Sequence, residues 1–244
     1  MPPAPAQLLV EDVLVEVVRK SVRGWRLTVR PPHGTVRLTV PLGTREASWQ
    51  EAVRGKLPWI RRHQLALQQR PAAPALRYEA GETHYYLGQA LRLVVYEQAG
   101  RSQVHLAAET GELHLRVPPG TRATQRALVV GRWRRQQLQA LVPGLLAQWE
   151  PVVGAQAAAW GLKQMKTRWG SCSLRARRIW LNVELSQWPL ACLEYVLVHE
   201  LTHLHERLHS ARFWQLVAQA LPTWHVAHHA LKKGHPGVPL PLAA

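Results

Sequence analysis

The sequence predicts an α+β protein, with a β-rich N-terminal region over residues 9–118, a mainly helical region over 119–235 and a β-hairpin beside its most apolar helix. Three observations predict it. Short runs of alternating apolar and polar residues fill the first half. Pro118-Pro119-Gly120 breaks the pattern, and helical periodicity follows. One later segment, Leu193 to Leu204, is apolar almost all round, as in a buried helix.

The elements read off in order. Residues 1–8 form a Pro/Ala lead-in. Arg26–Arg30 and Thr35–Val40 are strands, joined by the turn signal Pro31-Pro32-His33-Gly34. Residues 45–69 turn helical, with Ser48 as a candidate cap and Trp49, Val53, Leu57 and Ile60 on one face; Pro58 kinks or splits that helix. A Pro/Ala stretch at 71–74 leads to four further strands near 83–87, 90–96, 102–107 and 112–117. After the break, a long helix runs over 121–149, interrupted at Pro143-Gly144, and a second runs over 152–160. Gln164–Cys172 and Arg178–Leu185 form the hairpin, and helices follow over 190–206, 210–221 and 223–233. The tail 236–244 is loose. No internal repeat of fixed period is evident.

Composition narrows the class. Charged residues are 19% and hydrophobic ones 47%, which fits a folded globular chain and excludes a disordered one. The net charge of +16 favours anionic partners, including nucleic acid. An Arg-rich, Lys-poor bias spread along the chain accounts for that charge equally well. Cys172 and Cys192 make no disulfide framework, and a reducing, cytoplasmic setting fits. No signal peptide or membrane-spanning run is expected, hence no membrane partner.

The chemistry concentrates in His199-Glu200-Leu201-Thr202-His203. Two histidines four apart stand one turn apart on one helix face, so both imidazoles reach one ion. Zn²⁺ suits imidazole, and a catalytic site leaves one position for water. Glu200, about 100° round the helix, reaches that water without binding the metal and serves as general base. The third ligand follows by elimination, because no acid follows Glu206. His205 points away, which leaves His209 or the cluster His225, His228 and His229. His209 is favoured if the helix ends near Arg207 and the chain turns back, with Ser210 capping the next helix. The His225 to His229 cluster reads instead as an exposed helix face. Arg168, Trp169, Ser171, Cys172, Asn182 and Tyr195 are candidate substrate-binding residues, since an edge strand beside a metal cleft can hold an extended peptide. Lys163, Lys166, Arg175, Arg177 and Arg178 also make the hairpin basic, which suits phosphate.

Taken in order, Arg168-Trp169-Gly170-Ser171-Cys172, Leu181-Asn182, Tyr195 to Leu204 and His209 to Trp214 resemble the YgjP-like metallopeptidase domain family, related to the SprT-like and WLM-type minigluzincin metalloproteases. Lys56 to Ile60 and Tyr86-Leu87-Gly88 extend the resemblance into the first half. It implies a zincin-like (minigluzincin) C-terminal domain, one Zn²⁺ per chain on His199, His203 and His209, and Glu200 as base. The chain departs from the pattern at Leu208, where the family has Asn, and at Pro222-Thr223-Trp224, where Pro-Asp-Tyr is common. The expected function is zinc-dependent hydrolysis of a peptide or protein. The alternatives are a nucleoside triphosphate pyrophosphatase with a nucleotide substrate, and a nucleic-acid-associated zinc protein.

Overall fold

The structure, a computed structural model, describes residues 6–30, 34–68, 76–233 and 235–236. The turn at Pro31–His33, the Pro/Ala stretch at 71–74 and the tail beyond Pro236 lie outside them. The chain divides into two compact units between Ala75 and Leu76.

In the first unit, β1 (Ala6–Val10), β2 (Val13–Lys20), β3 (Arg26–Arg30) and β4 (Thr35–Pro41) form a sheet ordered β1-β2-β4-β3. The expected lead-in thus gives way at Ala6, where β1 pairs antiparallel with β2. Alternation does its expected work: Val13, Val15, Val17, Val36, Leu38 and Val40 are buried on one face. That face is covered by α1 (Glu46–Arg54) and α2 (Leu57–Gln68), through Trp49, Val53, Leu57 and Ile60. The helix cap is Arg45, not Ser48. The break falls at Gly55-Lys56, and Pro58 sits in the first turn of α2, where its missing N–H costs nothing.

The second unit opens with the same arrangement. β5 (Thr83–Tyr86), β6 (Gln89–Glu97), β7 (Gln103–Ala107) and β8 (Glu112–Val117) are ordered β5-β6-β8-β7. In both sheets the central pair is parallel and the outer pairs are antiparallel. The correspondence reaches the sequence. Val40-Pro41-Leu42-Gly43-Thr44-Arg45 matches Val117-Pro118-Pro119-Gly120-Thr121-Arg122. Thr44 Oγ1 donates to Pro41 O at 3.0 Å, and Thr121 Oγ1 to Pro118 O at 2.5 Å. Arg45 and Arg122 both take the extended N-cap position, and Gly34 and Gly111 both have positive φ. The chain therefore does repeat a four-strand unit followed by a helix.

Next comes α3 (Ala123–Val153), one unbroken helix. Pro143 leaves it intact, because buried residues on both sides of Pro143 hold the rod in place. Its first half packs Val129, Val130 and Trp133 on the second sheet, and its second half packs Leu138, Val142, Leu145 and Leu146 into another core. Gly154 ends it in the left-handed conformation, φ 69°. The boundary expected at residue 118 falls inside this unit, between a strand and the helix that covers its sheet. The helix expected over 152–160 is absent: β9 (Ala159–Lys163) pairs parallel with β11 (Arg178–Asn182), and β10 (Gly170–Ser173) pairs antiparallel on β11's other side. A 3-10 turn (Val183–Gln187) leads to α4 (Leu190–Thr202), α5 (Ala211–Ala220) and α6 (Trp224–Lys233). No helix among the described residues is long and apolar enough to cross a membrane.

Candidate metal centre

The helix α4 is buried along most of its length, including Leu193, Val196, Leu197, Val198 and Leu201. Its start is clamped from the second sheet. Leu87 and Gly88, both at positive φ, form the two-residue β5–β6 turn. Their N–H groups donate to Ser186 O and Gln187 O at 2.8 and 3.1 Å. Gly88 lies so close to Pro189, which precedes α4, that a Cβ there would sit 2.8 Å from Pro189 Cγ. This gives the Tyr86-Leu87-Gly88 step a physical role.

The far end of α4 carries the histidines. The helix stops at Thr202, with His203 as its C-cap, several residues before the expected end near Arg207. The chain then doubles back through Leu204–His209. Ser210 caps α5 as expected, its hydroxyl accepting from Phe213 N at 3.3 Å. The turn brings the ligand atoms of His199, His203 and His209 within 4.8 Å of one another, with His199 Nε2 and His209 Nε2 3.0 Å apart. Phe213, fully buried, packs against all three rings at 4.6–4.9 Å. Trp214 stacks on His209, and Trp224 on Trp214. Trp224 thus backs the cluster.

The donor set fits a divalent ion. Tetrahedral imidazole ligands at about 2.0–2.1 Å from zinc would stand about 3.3 Å apart, close to the His199–His209 spacing. Burial, then the neighbouring histidines, pushes His199 down to about 3. Burial also lowers His203. Both rings are therefore neutral near pH 7 and present lone pairs. His203 Nδ1 faces Glu206 O at 3.1 Å, which leaves Nε2 for a metal. His199 Nδ1 is buried without a hydrogen-bond partner.

Glu200 is 5% exposed. Burial, opposed by Arg168, pushes its carboxyl up to about 8. Gly170 makes room for it: a Cβ there would lie 2.6 Å from Glu200 Oε1. The surrounding cleft has a volume of about 990 Å³. Arg168, Trp169, Ser171, Cys172 and Tyr195 line it, together with the three histidines and Glu200. Asn182 stands behind it, 3% exposed. Its Nδ2 donates to Met165 O and Arg168 O at 2.9 and 2.8 Å, so it shapes the loop and does not itself line the cleft. Of the basic hairpin residues only Arg168 reaches the cleft. Lys163 and Arg178 lie over Trp180 and Arg177 donates to Gln156 O.

Sequence reasoning missed His228. His225 and His229 are exposed as expected, but half-buried His228 lines the cleft, its Nδ1 2.8 Å from Tyr195 Oη. Its spacing from Trp224 and Leu231 on the packed face of α6 was the available signal. Arg207 and Lys232 on the rim were also missed.

The profile of the YgjP-like metallopeptidase domain matches residues 25–234. Among solved structures, the metallopeptidase zymogen abylysin of Pyrococcus abyssi is similar at 23% identity, covering 37% of this chain and 93% of its own, with a TM-score of 0.34. No curated protein matches.

Proposed function

The chain belongs to the YgjP-like metallopeptidase family, and on that premise we propose that it is a zinc-dependent peptidase in which His199, His203 and His209 hold one ion and Glu200 is the general base. The observation that carries this reading is the convergence of three imidazoles beside a buried carboxylate in one cleft. When bound, the metal polarises the substrate carbonyl and acidifies water.

The protein's own groups have separable tasks. Glu200 takes a proton from the attacking water and delivers it to the departing amine. β10 is the outermost strand of its sheet, and Gly170, Ser171 and Cys172 line the cleft. Its free edge can pair with an extended substrate backbone and hold the scissile bond in place. Tyr195 and His228, hydrogen-bonded to each other, supply polar atoms on the side of the cleft formed by α4 and α6. Phosphoryl hydrolysis is supported less well. Such chemistry often uses carboxylate-held Mg²⁺, whereas Glu200 is the one acid lining the cleft among the described residues.

The test measures metal content and hydrolysis together, for wild type, Glu200→Gln and His209→Ala, against a peptide library and a nucleoside triphosphate panel. The reading expects one zinc per chain in wild type and cleavage of peptides. Glu200→Gln keeps the zinc and loses turnover, and His209→Ala loses the zinc. Full activity in Glu200→Gln, or turnover of nucleotides alone, refutes it.

A further inference from the structure

The cleft's charge is one-sided. Three cations from three separate elements line it: Arg168 before β10, Arg207 between α4 and α5, and Lys232 on α6. All three are exposed. Glu200, buried at the base, is the sole acid among the described lining residues. Glu206, next to Arg207, does not itself line the cleft, and its carboxylate accepts from Leu208 N at 3.1 Å. Neither Arg168 nor Arg207 makes a salt bridge among the described residues.

The backbone that carries Arg168 is also held in place. Asn182 binds the loop at Met165 O, Arg168 O and Trp169 O, and Trp169 packs edge-on against Trp188 at 5.4 Å. Gly170 abuts Glu200 and so marks the reacting position. Arg168 lies two residues to one side, within about 7 Å along the chain. Leu174 lies on the other side, in the turn just past β10, and lines the cleft there. A substrate paired along β10 would meet the Arg168 cation on one flank of its scissile bond and the apolar Leu174 on the other.

Building on the peptidase reading, we propose that this cleft selects acidic peptides: segments with Asp or Glu within about two residues of the scissile bond on the Arg168 side, and an apolar side chain on the other. Cations lining a cleft raise the local concentration of anionic substrate and its rate of capture about 10- to 1,000-fold, falling with ionic strength. A preference resting on exposed arginines belongs at the lower end of that range.

The test uses the full-length, zinc-loaded protein and fluorescent peptides that differ only by Asp, Asn or Lys at each position flanking the scissile bond. Wild type is expected to favour Asp over Lys by about tenfold in kcat/KM at low salt, with the ratio shrinking as salt rises. Arg168→Glu should reverse the ratio, and Arg207→Glu should reduce it. If Arg168 served only to tune Glu200, its replacement would change all peptides by one factor and leave the ratio unmoved. Binding of the same peptides to zinc-loaded Glu200→Gln, read by fluorescence anisotropy, separates selection from hydrolysis. Charge-selective binding without cleavage by wild type removes the peptidase reading and keeps the acidic-ligand site. Equal binding of Asp and Lys peptides, an unchanged ratio in Arg168→Glu, or binding of ATP in preference to the Asp peptide overturns the proposal.

Discussion

Replacing Gly170 with alanine adds one methyl group at the most crowded point of the site. The new Cβ would lie 2.6 Å from Glu200 Oε1, 2.8 Å from Cγ and 3.0 Å from Cδ. Ordinary non-bonded contact begins near 3.5 Å, so the carboxylate must retreat by about 1 Å. The helix cannot follow, because Leu201 and Thr202 beside it are fully buried. The side chain must rotate instead, which takes its oxygens off the line to the attacking water. Displacement of a reacting group by about 1 Å costs on the order of 100-fold in rate, or about 2.7 kcal/mol. Gly170 lies outside the positive-φ region, so alanine brings no backbone strain of its own. The expected outcome is a kcat about 100-fold lower in Gly170→Ala, with unchanged zinc content and a melting temperature near that of wild type. Wild-type turnover in a folded, zinc-loaded variant would refute the geometry argued for Glu200, and so would loss of the metal.

Three other perturbations have worked signs. Gly88→Ala meets Pro189 at 2.8 Å and takes an unfavourable φ of +83°, so it should lower stability by about 1–3 kcal/mol in urea titration; an unchanged midpoint would remove the clamp on α4. Phe213→Ala empties a fully buried site beneath three imidazoles, so it should cost about 3–5 kcal/mol and weaken zinc affinity in chelator competition, whereas Phe213→Leu should lose much less. His84 is 1% exposed, and burial pushes its imidazole down from 6.5 to about 4. The unfolded chain takes up that proton first, so the contribution is complete above about pH 6.5 and declines as pH falls toward 4, by on the order of 3 kcal/mol. His84→Leu should flatten the fall in urea midpoint between pH 7 and pH 4.5, and a slope identical to wild type would exclude His84 as its source.

What was legible in the sequence had a local cause. Six strands of the two four-stranded sheets follow from alternation, whereas β1 falls in the expected lead-in and β2 is not singled out; Ser210 as a cap follows from its place before an amphipathic run. His199 and His203 follow from helix periodicity, and His209 from the shortage of other donors. What stayed hidden depends on contacts between elements. Residues Ala159–Lys163 alternate too weakly to announce a strand, and pairing with Arg178–Asn182 makes them one. His228 reads like His225 and His229 until α6 is laid beside Tyr195. Pro143 signals a break that packing on both flanks overrides. The repeated unit escapes a search for fixed spacing because its shared residues are few, a turn and a helix start that only the common topology aligns.

One consequence follows from the long helix α3. At about 1.5 Å per residue, its 31 residues make a rod on the order of 45 Å long. One end covers the second sheet and the other props the core beneath the metal helix. A truncation beginning at Pro118 would strip Val129, Val130 and Trp133 of their cover and expose an apolar stripe on the fragment that keeps the histidines. The second sheet and the core that carries the histidines are therefore bound into one packing unit by α3. Recombination that separates them would yield a sticky fragment, whereas an exchange near Ala75 would keep Val129, Val130 and Trp133 covered.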